Sequence, residues 1–184
     1  MHLAQVLQWR NQPRIRQNMY NQQVISPVQH AQWFADLQRD PARCYFVMLQ
    51  DGKPIGSLNY SDMQQPEWEW GCFIGEHAVW PGSGILLELA ALDIAAALGA
   101  QRLRAEVLHF NQAPIKLHRF FGYRQLESKI AEIERDGIAH DALVFVYDMD
   151  DWRAARPGVL ARLPKQVAAA AGNIRFNIDN LDEA

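Results

Sequence analysis

Cysteine is scarce in this chain: Cys44 and Cys72 are the only two among 184 residues. Each sits in an apolar run, which reads as a buried free thiol rather than half of a disulfide. Long apolar runs are missing too. None reaches the ~18 residues that a membrane span needs, and the opening MHLAQVLQWRNQPRIRQ has no apolar leader core. A cytoplasmic protein without a membrane partner is the natural expectation. Positive charge is not in excess either. A net charge of −3 argues against a broad nucleic-acid surface and leaves room only for local basic pockets.

Several chemical signatures are also absent. The loop Pro81-Gly82-Ser83-Gly84 is not followed by Gly-Lys-Ser/Thr, so it is no Walker A loop. Its third glycine position is Leu87 and no βαβ unit opens the chain, which excludes a dinucleotide fingerprint. His109 and Asn111 have no cysteine or second histidine at ligand spacing, so no metal site is expected. No Ser-His-Asp or reactive-cysteine arrangement stands out, and Cys72 in an apolar strand is a poor nucleophile.

What remains suits one domain with a proper core, since 49% of the residues are hydrophobic. Leu3 to Leu7 reads as a first strand, and Asn11 and Pro13 as the start of a short helix in which Ile15 and Met19 share a face. Ser26-Pro27-Val28-Gln29 is a capping box. His30, Trp33, Phe34 and Leu37 follow it at the spacing of one buried helix face. Cys44–Gln50 and Ile55–Tyr60 form strands about the turn Asp51-Gly52. Glu67–Gly75 is a third strand, with Trp68, Trp70, Cys72 and Ile74 on one side.

A helix over Gly84–Leu98 is apolar nearly all round, with Glu88 and Asp93 its only polar side chains, and should lie buried against a sheet. Arg102–Phe110 reads as a strand and Ala113–Phe120 as a short helix; Tyr123–Glu134 and Ala139–Met149 form a hairpin about Asp136-Gly137. Arg156-Pro157-Gly158 then reads as a break, Val159–Ala171 as a helix, and Ile174–Ile178 as weakly alternating. The order predicts an α/β domain over residues 1–150, with a central mixed, mostly antiparallel sheet flanked by helices. Residues 151–184 are an extension that packs on the core or on a second subunit, which leaves a homodimer open.

The stretch from Glu69 to Tyr123 organises the rest. Its glycine loop feeds straight into the long helix, so backbone N–H groups converge where the helix dipole is positive, a setting for phosphate. Taken alone, a G-x-G of this kind is also an ordinary helix entry.

The sequence of strand, x-G-x-G loop, long helix, strand ending at Asn111, and short helix closed by Phe121-Gly122-Tyr123 resembles the acyl-CoA-binding half of the GNAT N-acetyltransferases. The resemblance runs from Glu67 to about Met149. It implies a strand that splays from its neighbour, with acetyl-CoA as cosubstrate in the gap. Phe73 and Ile74 would offer backbone to the pantetheine arm, and the amides of Gly82, Ser83, Gly84 and Ile85 would hold the pyrophosphate. Asn111 would contact the pantetheine and Lys116 a CoA phosphate. Val79 departs from the Gln or Arg usual three residues before the first glycine. Nearer the N-terminus, Trp9-Arg10-Asn11, Arg16, Met19-Tyr20, Ile25-Ser26, His30 and Trp33-Phe34 resemble the amino-sugar branch of that family, in particular the UDP-4-amino-4,6-dideoxy-N-acetyl-β-L-altrosamine N-acetyltransferases of pseudaminic acid biosynthesis. Arg10, Met19, Tyr20, His30 and Trp33 would then hold a nucleotide-linked amino sugar. An aromatic can stack on uracil and an arginine can pair a diphosphate. Trp33 and His30 equally suit a packed helix face.

Acetyl transfer to an amine needs a neutral amine, a donor for the carbonyl oxygen, and a proton for the departing thiolate. The resemblance places a tyrosine acid four residues before Gly122; here that residue is His118, whose imidazole ordinarily loses its proton near pH ~6.5 against ~10 for a phenol. His118 is the candidate acid, with Tyr123 an alternative that also suits packing. Glu69 is the candidate base, with Glu67 and His109 as others. The expectation is an N-acetyltransferase working by direct attack in a ternary complex on a nucleotide-linked amino sugar. The alternatives are Nα-acetylation of a protein N-terminus, of the ribosomal-protein type, and an acyl-CoA-binding module without turnover.

Overall fold

The computed structural model describes residues 2–177. Seven strands form one sheet in the order β1-β2-β3-β4-β7-β5, with β6 also pairing β7. They are β1 (Cys44–Gln50), β2 (Lys53–Ser61), β3 (Glu67–Ile74), β4 (Arg102–Leu108), β5 (Arg124–Gln125), β6 (Lys129–Arg135) and β7 (Ile138–Asp148). Every pairing is antiparallel except β3 with β4, so the sheet is mixed and mostly antiparallel, as expected.

One face of the sheet carries α4 (Ser83–Leu98), α5 (Gln112–Phe121), α6 (Met149–Ala161) and α7 (Lys165–Ala171). The main core lies between them. Helix α4 is sealed in, with Leu87, Leu89, Ala91, Leu92 and Ala95 buried against Trp68 and Trp70 of β3 and Leu103 of β4. That is the fate expected of a helix apolar all round. A smaller core on the opposite face joins Val6, Trp9 and Ile15 to Tyr45, Val47 and Phe73.

That second core explains one correction. Leu3–Leu7 is not a strand; residues Leu3–Arg10 form helix α1. Val6 and Trp9, three apart, are its buried residues, a helical spacing that a five-residue strand reading hides. Helix α2 (Pro13–Arg16) follows with Pro13 in its first turn, and α3 (Pro27–Leu37) opens on the expected capping box: Ser26 Oγ accepts from the Gln29 amide and Gln29 Oε1 from the Ser26 amide.

A second correction concerns the C-terminal extension. Arg156-Pro157-Gly158 does not break the chain, because α6 runs through Pro157. Tertiary contacts hold it: Trp152 Nε1 donates to Asp93 on α4 at 3.0 Å, and Arg156 grips both oxygens of Asp93 at 2.8 Å. The break falls instead at Pro164, which precedes α7. Val159, Leu163, Val167 and Ala171 join the main core. No strand forms over residues 174–177, and Ile178 lies outside the described residues.

Candidate active site

β3 and β4 pair at only three positions, Glu67 with Arg102, Trp68 with Leu103 and Glu69 with Arg104. Beyond them the strands part. Trp70 to Ile74 still pair β2, and Ala105 to Leu108 still pair β7, but not each other. The Gly75 amide donates to the Ile55 carbonyl. Ladder alternation therefore turns the peptide groups of Phe73 toward Ser57 on β2, and those of Trp70, Cys72 and Ile74 toward the gap. The expected backbone contact from Phe73 thus shifts to Cys72, because the antiparallel ladder has already claimed Phe73. Ile74 keeps its amide, while its carbonyl accepts from Arg14 Nη1 at 3.1 Å.

A cleft of about 1190 Å³ passes through this gap. At one end is the N-terminus of α4. Gly82 caps it with φ of 93°, a left-handed conformation that favours glycine. The Ser83 amide is taken by the Trp80 carbonyl at 3.1 Å and the Leu86 amide by the Gly82 carbonyl at 3.0 Å. The amides of Gly84 and Ile85 have no acceptor among the described residues. Gly82, Gly84 and Ile85 line the cleft, whereas Ser83 is buried with its hydroxyl on Trp80. Phe73, Ile74, Asn111 and Lys116 line it too, and neither the Asn111 amide group nor Lys116 has a side-chain partner among the described residues. Two free amides at a helix N-terminus, a lysine and a carboxamide fit a phosphate-bearing pantetheine ligand.

Below the gap lies His118, on α5. It lines the cleft yet is buried, packed against Trp70, Tyr123 and Phe145 at ring-centroid distances of 5.6, 4.7 and 5.2 Å. Its Nδ1 lies 2.7 Å from Oε1 of Glu88, itself 1% exposed. An ionised carboxylate only accepts, so with Glu88 in that form Nδ1 donates to it and Nε2 is the ring nitrogen left without a partner among the described residues. Burial first, and the Glu88 charge second, push the Tyr123 phenol well above its usual range. The same two causes raise the Cys72 thiol, which faces the cleft but has protein on its other sides. Neither is a ready nucleophile.

Toward the other end of the cleft stand Arg10, Met19, His30, Trp33 and Arg43, while Arg14 lines it near the α4 end, with both Nη atoms on the Ile74 and Gly75 carbonyls. His30 stacks on Trp33 at 5.0 Å, and Trp33 meets Tyr45 edge-on at 5.1 Å. Burial lowers the pKa of Arg10 and of His30. Arg10 Nη2 donates to the Asn21 carbonyl at 3.0 Å, while its buried Nη1 has no partner. Tyr20 is not in the cleft wall. It is 45% exposed, and its hydroxyl donates to Glu106 at 2.7 Å. Glu106 does line the cleft, held by Arg104 at 2.6 Å and Lys129 at 2.9 Å.

Glu69 lies just outside the lining, on the strand face shared with Gly71 and at the point where β3 and β4 part. Burial, then the charge of Glu106, raises its pKa, while Arg104 and Lys129 act against them. Of the other candidate bases, Glu67 sits near Arg102 and Arg104, and His109 is an exposed residue stacked on His140. Neither lines the cleft.

Arg14, Arg43, Glu88 and Glu106 are the residues that sequence reasoning missed at this site. Glu88 had a visible signal, being one of only two acids in a helix that is otherwise apolar nearly all round. The others read as ordinary surface charge, because only the folded chain brings them to one wall. Among the described residues, no group of three or more potential ligands could hold a metal ion.

A splayed parallel strand pair opening onto a helix N-terminus with unpaired amides defines an acyltransferase site for a phosphate-bearing donor. Residues 1–124 match the sequence profile of the acetyltransferase (GNAT) domain, and the chain belongs to that family of enzymes. Among curated proteins it is similar to acetyltransferase PseH of Campylobacter jejuni subsp. jejuni serotype O:23/36 (strain 81-176), 25% identical over 114 residues, which are 62% of this chain and 71% of PseH. Two solved structures share the fold. Spermidine N-acetyltransferase from Vibrio cholerae, in complex with CoA and spermine, has a TM-score of 0.77 at 17% identity, over 83% of this chain and 92% of that one. Ribosomal-protein-alanine N-acetyltransferase from Brucella melitensis has a TM-score of 0.69 at 20% identity, over 80% and 94%.

Proposed function

We propose that this enzyme transfers the acetyl group of acetyl-CoA to the amine of a nucleotide-linked amino sugar, in the cytoplasm. The observation that carries the reading is the polarity of the cleft. Its acceptor end presents Arg10 and Arg43 beside stacked aromatics, which suits a diphosphate and a base. Such an end disfavours a polyamine, which would need carboxylates in their place. The likeness to PseH supports the same choice.

The amides of Gly84 and Ile85 with Lys116 would hold the CoA phosphates, and Asn111 with the peptide groups of Cys72 and Ile74 the pantetheine arm. Arg10, His30 and Trp33 would hold the nucleotide. The amine nitrogen bonds to the thioester carbonyl carbon and the C–S bond breaks. Glu69, acting through water, takes the proton that the nitrogen sheds, and His118 Nε2 supplies the proton that the sulfur gains.

The test is CoA release with acetyl-CoA and a panel of UDP-amino sugars, N-terminal peptides and spermidine. Turnover on peptides alone establishes the protein N-terminus as acceptor and ends the sugar reading. Tight acetyl-CoA binding with no turnover on any acceptor supports the binding module.

A further inference from the structure

Glu88 is the one buried acid among the described residues, 1% exposed in the middle of a helix whose other acid, Asp93, is tied to α6. An isolated carboxylate there is strongly disfavoured, and an apolar residue of similar size would pack at least as well. His118 is its partner at full hydrogen-bond distance, and among the described residues no lysine or arginine pairs with it. The pair borders the cleft below the splayed strands. Two further buried donors stand beside it: Trp70 Nε1, which has no hydrogen-bond partner among the described residues, and the Tyr123 hydroxyl, which is turned toward the Glu88 carboxylate without meeting an acceptor at full hydrogen-bond distance. A chain that buries a carboxylate, an imidazole, a phenol and an unpartnered indole N–H at one point has built a polar site there, since a merely structural pair would leave no donor over.

We infer that Glu88 is a positioning residue that makes His118 the proton donor to the departing sulfur. The inference rests on the acetyl-transfer reading but not on which amine is the acceptor, because the pair lies on the donor side of the cleft. Glu88 accepts the Nδ1 proton, fixes the imidazole plane and leaves Nε2 toward the cleft. With both ring nitrogens protonated, Nε2–H passes its proton to the sulfur as the C–S bond breaks. The ring returns to its neutral form with Nδ1–H still on Glu88, and solvent restores the lost proton. The other titratable groups facing the pair are Cys72 from β3, Tyr60 from β2 and Tyr123 after α5. Burial pushes all three upward, so they stay neutral through the working range.

Glu88→Gln, His118→Tyr and the double variant test it. In Glu88→Gln, kcat should fall about 100-fold, the low end of what a lost general acid costs, with KM for acetyl-CoA unchanged. The high-pH limb of the kcat profile should move to lower pH. His118→Tyr should retain activity, and adding Glu88→Gln to it should change kcat little. A Glu88→Gln enzyme whose kcat and pH profile match wild type overturns the inference, whatever happens to its melting temperature. CoA binding followed calorimetrically in buffers of different ionisation enthalpy needs no acceptor. Equal proton exchange in wild type and Glu88→Gln overturns the relay even if no acceptor is turned over, and absence of turnover in wild type counts only against the proposed reaction.

Discussion

Val167 of α7 lies directly beneath Gly82, the cap of α4: a Cβ added at Gly82 would meet Val167 Cγ2 at 2.7 Å. The C-terminal extension therefore supports the loop that presents the free amides of Gly84 and Ile85. Gly82→Ala carries two faults, the contact with Val167 and a left-handed φ that costs a non-glycine residue about 1–2 kcal/mol. It should lower both the melting temperature and CoA affinity. Val167→Ala should weaken CoA binding while the Gly82 backbone remains unstrained. Calorimetric titration with CoA checks both; unchanged affinity in Val167→Ala would separate the extension from the loop.

Asp93 binds two groups of α6 at once, the Trp152 indole and the Arg156 guanidinium. Asp93→Ala leaves the buried Trp152 N–H without an acceptor, a loss of about 1–3 kcal/mol. Arg156→Ala keeps that bond and should cost less. Thermal melts of the two variants should rank in that order, and equal losses would show that the ion pair, not the indole bond, anchors α6.

Trp9 lies flat over Gly75, where a Cβ would come 2.1 Å from the indole ring, and its Nε1 donates to Glu76 at 2.8 Å. Gly75→Ala should expel the indole and loosen α1 from the end of β3, at about 1–3 kcal/mol, the usual cost of overpacking. Arg10 and Arg14 flank this contact, so acceptor KM should rise more than acetyl-CoA KM. Tryptophan fluorescence and the two KM values measure the outcome.

Glu69 and Glu106 should respond to pH in opposite directions. Burial raises the pKa of Glu106, but the bonds from Lys129, Arg104 and Tyr20 outweigh it and hold the carboxyl below its usual range. Its stabilising contribution is complete above the unfolded value near ~4.5 and is lost as pH falls through the lower folded value. Glu69 has a raised folded pKa, so it favours the fold below ~4.5 and loses that contribution as pH rises through the folded value. Glu69→Gln should therefore melt no lower than wild type at pH 7 while kcat drops. Glu106→Gln should melt lower at pH 7, and the gap should close toward pH 3. A Glu69→Gln enzyme with full kcat would remove Glu69 from the reaction.

Much of this was readable from the residues. The strand–loop–helix–strand order, the capping box at Ser26 and the apolar all-round α4 are local patterns, and local patterns survive folding. The two polar exceptions in that helix were visible as well, and the fold uses both: Asp93 anchors α6, and Glu88 meets His118. What was not readable depended on distance in space. Leu3–Leu7 is too short for its period to separate strand from helix until Trp9 is seen against Gly75. Pro157 looked like a stop because nothing in its neighbourhood announces Asp93, which is 64 residues earlier in the chain. The role of Phe73 turned on ladder parity, which is fixed by the partner strand. Arg14 and Arg43 reach the cleft from separate elements with no shared motif.

The three-pair seam between β3 and β4 divides the sheet into two leaves. One leaf, β1 to β3, closes through short turns; the other is built on β7; the chain crosses between them once, by way of α4. Local hairpins need little loop closure, so each leaf can form early and the seam is the late, costly join. A ligand lying along the gap would touch both leaves and make donor binding and leaf docking one thermodynamic event. Addition of CoA should then slow amide exchange in β3 and β4 together and leave the β1–β2 hairpin unchanged. Slowing confined to the α4 N-terminus would mean that the leaves are already locked before any donor arrives.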